Sequence, residues 1–291
     1  MTLAIAIAQA ASVAASAETI TRALQSDGQT LILLVWLIVI LAFLAGVSTL
    51  GERWSGELLA QSYITAIRSQ LFEATIHSAR GTPESRWLTS FVSDLTALRN
   101  WATNGPVRML TSTVALAISS AWFVISSPQL AATLLPIGLA MVAIGILHRT
   151  LGEAIVMQRR ARGRLTRFVL RRIRIEVGDN NPGGHGRKTF AERSGQLASC
   201  AVARARITGL MDAIAMSSGL LASLILVTLS AQGQPFDTTA LAGALTLLGF
   251  LSSRIVEFSR ALQAFAAGHV ALHRIRQLLE GGSHPNVDAG D

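Results

Sequence analysis

The sequence predicts an all-α membrane protein with six transmembrane helices and long helical extensions on the cytoplasmic side. Three observations carry this. Hydrophobic residues make up 51% of the chain and charged residues only 14%, a balance too apolar for an ordinary soluble domain. The apolar residues gather into runs long enough to cross a bilayer. A crossing takes about 20 residues as a helix, because every backbone donor and acceptor must be satisfied within the segment. The basic residues, which give a formal charge of +8, lie between those runs. That placement reads as membrane topology and not as a nucleic-acid-binding face.

The first span covers residues 3–24. It is mostly alanine up to Ala17 and continues through Ile20 and Leu24 to an Asp27-Gly28 turn. Ala15, Ser16 and Ala17 form a small-x-small pattern, but no Lys or Arg precedes it. A signal peptide needs a positively charged n-region, so the segment reads as a span. The second span, residues 31–50, is LILLVWLIVILAFLAGVSTL without a single charge. Met109 to Leu147 then runs for 39 residues without Asp, Glu, Lys or Arg, interrupted by Ser126, Ser127, Pro128 and Gln129. Such a run predicts two helices, 109–126 and 129–147, joined by a tight turn. The fifth and sixth spans, 211–231 and 238–258, form a second hairpin around AQGQPFD, where Gly233 and Pro235 signal a loop. Residues 281–291 read as a disordered tail.

Basic residues decide the orientation, because Lys and Arg concentrate in cytoplasmic loops. Arg22 alone falls in an outer loop; six lie between Arg53 and Arg108, fourteen between Arg149 and Arg206, and four from Arg254 onward. Both termini are therefore expected inside, in a multi-pass protein of the bacterial inner membrane. The inner segments, 51–108 and 148–210, keep a helical apolar period. Leu58, Ser62, Ile67, Leu71 and Ile76 trace one stripe, and Leu165, Phe168, Val169, Arg172 and Ile173 another. These helices are expected to continue past the bilayer as long hairpins, without a globular insert.

Polar residues near the spans are candidates for function, since a buried intramembrane charge is costly unless paired or wetted. Arg254 and Glu257 are three apart on the sixth helix, placed to pair with each other or to line a cavity near the inner boundary. Asp212 with Arg204 or Arg206 reads as an inner-boundary feature. Ser119, Ser120, Ser217 and Ser218 suit a polar path or close helix packing. No His, Cys or acidic cluster has metal-ligand spacing, and the lone Cys200 permits neither an intramolecular disulfide nor a thiolate site. No catalytic or cofactor-binding residue is identified in the chain.

Several stretches resemble the membrane domain of ABC exporters, in order and over nearly the whole chain. GERWSGELLAQSYITAIRSQLFEATIHSARG is similar to the family's exposed Arg-x-x-Leu-Phe helix, here Arg68, Leu71 and Phe72, ending before Gly81 and Pro83. LTSFVSDLTALRNWATNGPVRML is similar to its first coupling region, with Ser90, Ser93, Asp94, Leu98 and Arg99 in place. RRARGRLTRFVLRRI and FAERSGQLASCAVARARITGL resemble the two arms of the second cytoplasmic hairpin. SRALQAFAAGHVALHRIRQLLE resembles the sixth-helix extension, ending at Arg274, Ile275, Leu278 and Leu279.

The resemblance implies six helices reaching far into the cytoplasm and coupling tips that dock onto ATPase domains. The docking candidates are Ser93, Asp94 and Arg99, with Arg187 at the second tip. Two departures from the family pattern stand out. Full-length exporters continue into an ATPase, whereas this sequence ends at Asp291 and holds no Walker A loop. Its one lysine, Lys188, has Arg187 and Pro182 where the two glycines must be. The second tip reads VGDNNPGGHGRKT, a predicted loop where the family has a short helix. The expectation is a permease subunit that homodimerises or pairs with a related chain in the lipid bilayer. A separate ABC ATPase subunit would hold ATP-Mg. The competing readings are a degenerate exporter remnant, a non-transporting scaffold, or a secondary carrier, the last opposed by the uncharged middles of spans two to four.

Overall fold

A computed structural model describes residues 2–25, 28–77, 95–176, 185–231 and 238–281. All of these are helical except the junctions at Gly105 and Ser127. The helices are α1 (Thr2–Gln25), α2 (Gly28–His77), α3 (Leu95–Asn104), α4 (Pro106–Ser126), α5 (Leu135–Glu176), α6 (His185–Ala231) and α7 (Thr238–Gly281), with a 3-10 segment at Pro128–Leu134. Among the described residues six stretches are long and apolar enough to cross a membrane: Ala4–Ala23, Ile32–Glu73, Leu95–Ser126, Pro128–Arg172, Arg187–Ala231 and Leu241–His273. Helices of 42 to 50 residues, α2, α5, α6 and α7, are each about twice as long as a hydrocarbon core of about 30 Å requires.

The chain divides into two compact units. The first comprises Met1–Leu59, Ala102–Ile146 and Leu210–Leu262. Here α1 packs along α4. Its buried face is Ala6, Ala10, Ala14 and Ala17, small residues at helical spacing that let two backbones approach closely. The α4 side of the core is Ala115, Leu116 and Phe123, with Thr111, Ser112 and Ser119 among them. Between α6 and α7 the approach is close enough that a Cβ on Gly219 would strike the Ser252 side chain. By contrast, the apolar stretch of α2 buries nothing, and Trp36, Phe43 and Leu50 are all exposed. An all-apolar helix with no buried face needs lipid or another chain around it.

The second unit comprises Ala60–Trp101, Leu147–Gly209 and Gln263–Asp291. Ile64, Ile67 and Leu71 of α2, Leu95 and Leu98 of α3 and Ile275 of α7 form its buried cluster, with Tyr63, Trp101 and Leu272 packed against it. Trp101 meets Tyr63 at 6.1 Å and Phe265 at 6.4 Å between ring centroids. It also lies directly over Gly268, where any Cβ would collide with its side chain.

Three expectations are corrected. The turn between the third and fourth spans is longer than residues 126–129: α5 begins at Leu135, after the 3-10 segment. Pro136 explains this, because a proline fits the first helical turn but clashes with the carbonyl four residues earlier when placed deeper. The predicted stripe on α2 is shifted. Leu58 is 59% exposed and Ser62 is exposed, while Ala60 and Ile64 are buried together with Ile67 and Leu71. Finally, α6 starts at His185, inside the stretch read as a loop. The first turn of a helix has no intrahelical acceptors for its N–H groups, so Gly186 there costs little. The rest of that tip, residues 177–184, and the tail 282–291 lie outside the described residues.

Candidate functional site

The first unit holds a polar cluster in an otherwise apolar setting. Glu52 follows the uncharged run of α2 by two residues and is 8% exposed. Its Oε2 accepts from Gln9 Nε2 of α1 at 3.1 Å, and its Oε1 accepts from Thr111 Oγ1 of α4 at 2.8 Å. One carboxylate thus ties three helices together. Gln9 Oε1 and Ser112 Oγ are buried beside these groups with no protein partner. Beside the cluster is an open pocket of about 180 Å³, lined by Glu52, Arg53, Glu57, Thr103, Asn104, Val107 and Arg108. Its charges are of both signs, so it favours neither anion nor cation outright. Sequence reasoning missed Glu52. Gln9 and Thr111 are polar residues within buried helix faces, but Glu52 stands beside Arg53 in a charged stretch that reads as the end of a span.

Arg254 and Glu257 on α7 come together as one of the two expected arrangements. Arg254 Nη1 donates to Glu257 Oε2 at 2.7 Å, with Arg254 buried and Glu257 half-exposed. The guanidinium also lies 4.8 Å from the Phe250 ring centroid, a cation–π contact. Its Nε is buried without a partner. Asp212 accepts a hydrogen bond from Ser259 Oγ at 3.3 Å, whereas Arg204 donates to Gln158 Oε1 at 3.0 Å.

Of the docking candidates, Ser93 and Asp94 lie outside the described residues. Arg99 is exposed on α3, and Arg187 is exposed in the first turn of α6. Among the described residues no group of three or more His, Cys, Asp or Glu is placed to hold a metal ion. Ser119, one of the serines suited to a polar path, is fully buried on α4 with its hydroxyl unpartnered, while Ser218 donates to Ala215 of its own helix.

The helical architecture agrees with the comparison to known families. A family model of the ABC transporter transmembrane region matches residues 1–152, while no curated protein matches the chain. The match takes in α1 to α4, the turn after them and the start of α5, which is more than half of the 291 residues. With six apolar helices of membrane-crossing length, the chain belongs to the ABC transporter transmembrane region family.

Proposed function

We propose that this protein is the permease subunit of an ABC exporter in a bacterial inner membrane, with both termini cytoplasmic. The observation that supports this best is the length of α2, α5, α6 and α7 together with their arginine-rich, non-membrane halves, in a chain of this family. Helices that run about twice the bilayer thickness have the reach to carry a displacement from a cytoplasmic partner into the membrane.

These 291 residues contain no phosphate-binding loop, so ATP is bound and hydrolysed by a nucleotide-binding domain that we place on a separate chain. Ser93, Asp94 and Arg99 dock it at the first coupling tip, and Arg187 contributes at the second. Two membrane domains, identical or related, enclose the transport path, and alternation between two packings of comparable energy opens it to one side and then the other. Arg254 and Glu257 would face that path near the inner boundary. Their pairing keeps a buried guanidinium neutralised while the helix moves.

The test is affinity purification of the tagged protein from native membranes in mild detergent. Recovery of an ATPase chain in stoichiometric amount, lost in Asp94→Ala and Arg99→Ala, is the expected result. Failure to recover one, under conditions that preserve a known split transporter, overturns the reading in favour of a non-transporting scaffold or remnant.

A further inference from the structure

The α5–α6 arms carry a concentration of positive charge with a defined shape. Between Arg159 and Arg174 the sequence holds eight arginines and neither Asp nor Glu. Arg164, Arg167, Phe168 and Arg171 fall at i, i+3, i+4 and i+7, which places them on one stripe of α5. Across from them on α6, the Arg193 guanidinium lies 4.6 Å from the Phe168 ring centroid. Its Nη1 is 3.4 Å from the backbone carbonyl of Arg164, to which it donates. These five residues line an open pocket of about 270 Å³ within the second unit.

No carboxylate among the described residues lines this pocket. Among the described residues none of the four arginines is ion-paired, and Glu192, the neighbour of Arg193 in sequence, is exposed and outside the lining. Four like charges around one small space repel one another, and an anion between them removes that repulsion. Guanidinium groups present fixed forks of donors that match phosphate oxygens two at a time. Stacking on Phe168 uses the face of Arg193 and leaves most of its edge donors free for a ligand. A single phosphate or carboxylate leaves at least two of the four charges uncompensated, whereas two or three linked phosphoryl groups match them.

Distance separates a soluble anion from a lipid headgroup. Arg164 stands 17 residues beyond Leu147, where the uncharged run ends, about 25 Å along the helix at 1.5 Å per residue. Headgroups extend only about 5–8 Å past the hydrocarbon. The volume suits a small molecule and not a protein segment. We propose that this pocket binds a soluble anion bearing two or more phosphoryl groups, held by Arg164, Arg167, Arg171 and Arg193 against the Phe168 ring. Bound there, the anion bridges α5 and α6 and fixes one arm to the other.

The inference goes beyond the transport reading, and its test reads binding alone. Inorganic tripolyphosphate is titrated into the purified full chain in phosphatidylcholine nanodiscs, followed by calorimetry, with orthophosphate as comparator. Saturable one-to-one binding is expected, weaker for orthophosphate, and weakened about tenfold by either Arg167→Gln or Arg193→Gln. Arg160→Gln and Arg206→Gln, outside the pocket, leave the affinity unchanged. Should Arg193→Gln unfold the chain, Arg167→Gln decides, because the described bond of Arg167 is to Gly163 of its own helix. Absence of saturable binding overturns the proposal, as does an equal loss in the outside variants, which would mean diffuse charge. Displacement of tripolyphosphate by anionic lipid in the nanodisc also overturns it, reassigning the site to headgroups.

Discussion

Glu52 receives one donor on each carboxylate oxygen, from helices 43 and 59 residues away in sequence. Removing it leaves Gln9 Nε2 buried without its acceptor, a loss of about 1–3 kcal/mol, while the Thr111 hydroxyl keeps the Arg108 carbonyl at 3.1 Å as an acceptor. Glu52→Ala should therefore lower the apparent melting temperature in detergent clearly, and Glu52→Gln, which keeps an acceptor, by less. The Arg254–Glu257 pair is a second case. Its carboxylate is 42% exposed but its guanidinium is buried, so Glu257→Ala removes the charge partner of a buried Arg254 and should lower the same transition as well. An unchanged transition in Glu52→Ala or Glu257→Ala would contradict this reading of the two sites. The difference between the two sites also explains what the sequence reveals. A pair three residues apart on one helix is legible from spacing alone. Contacts such as Gln9–Glu52–Thr111 require knowing which helix faces which, and a single chain's pattern does not carry that.

Among elements, α1 shows how hydropathy and packing diverge. Its alanine-rich run is the weakest of the six by side-chain size, yet α1 packs along α4 and buries Ala6, Ala10, Ala14 and Ala17, with the Ala17 carbonyl close to Gly243 of α7. Small residues exclude bulk where backbones approach, so a low hydrophobic signal accompanies a tight interface. Ala10→Leu inserts three carbons at a position with no exposure and should destabilise by about 1–3 kcal/mol. Ile7→Leu, at a half-exposed position, should be silent in the same melting assay; the reverse order would mean that α1 packs through another face. Element identity was legible because spans such as 31–50 are long and uncharged. Element ends were less so. Pro136 in the first turn of α5 was readable in principle, but the apolar run continues unbroken through the 3-10 segment and masks it. On α2 the buried stripe slipped by about half a turn because Leu58 and Ala60 both suit an apolar face, and only the neighbours of Ile64 and Leu71 decide between them.

At the scale of the molecule, charge asymmetry predicts orientation. In a Cys200→Ser background, a cysteine at Gln129 should react with an impermeant maleimide in intact spheroplasts, and one at Ser199 only after permeabilisation. Both positions are exposed, so burial does not confound the reading, and the opposite pattern would invert the topology. The six-helix membrane fold was the most legible property of the sequence, resting on apolar runs and basic loops that need no tertiary knowledge. Docking was the least legible, since it depends on a surface belonging to another domain. The central claim is that ATP turnover outside these residues changes the packing of these helices. Its most direct test is the maleimide labelling rate of Ser253→Cys, an exposed position beside Arg254, in the Cys200→Ser complex reconstituted with its ATPase. The account predicts that trapping with Mg-ATP and vanadate slows labelling severalfold relative to the nucleotide-free complex. An unchanged rate in a complex that hydrolyses ATP would contradict it.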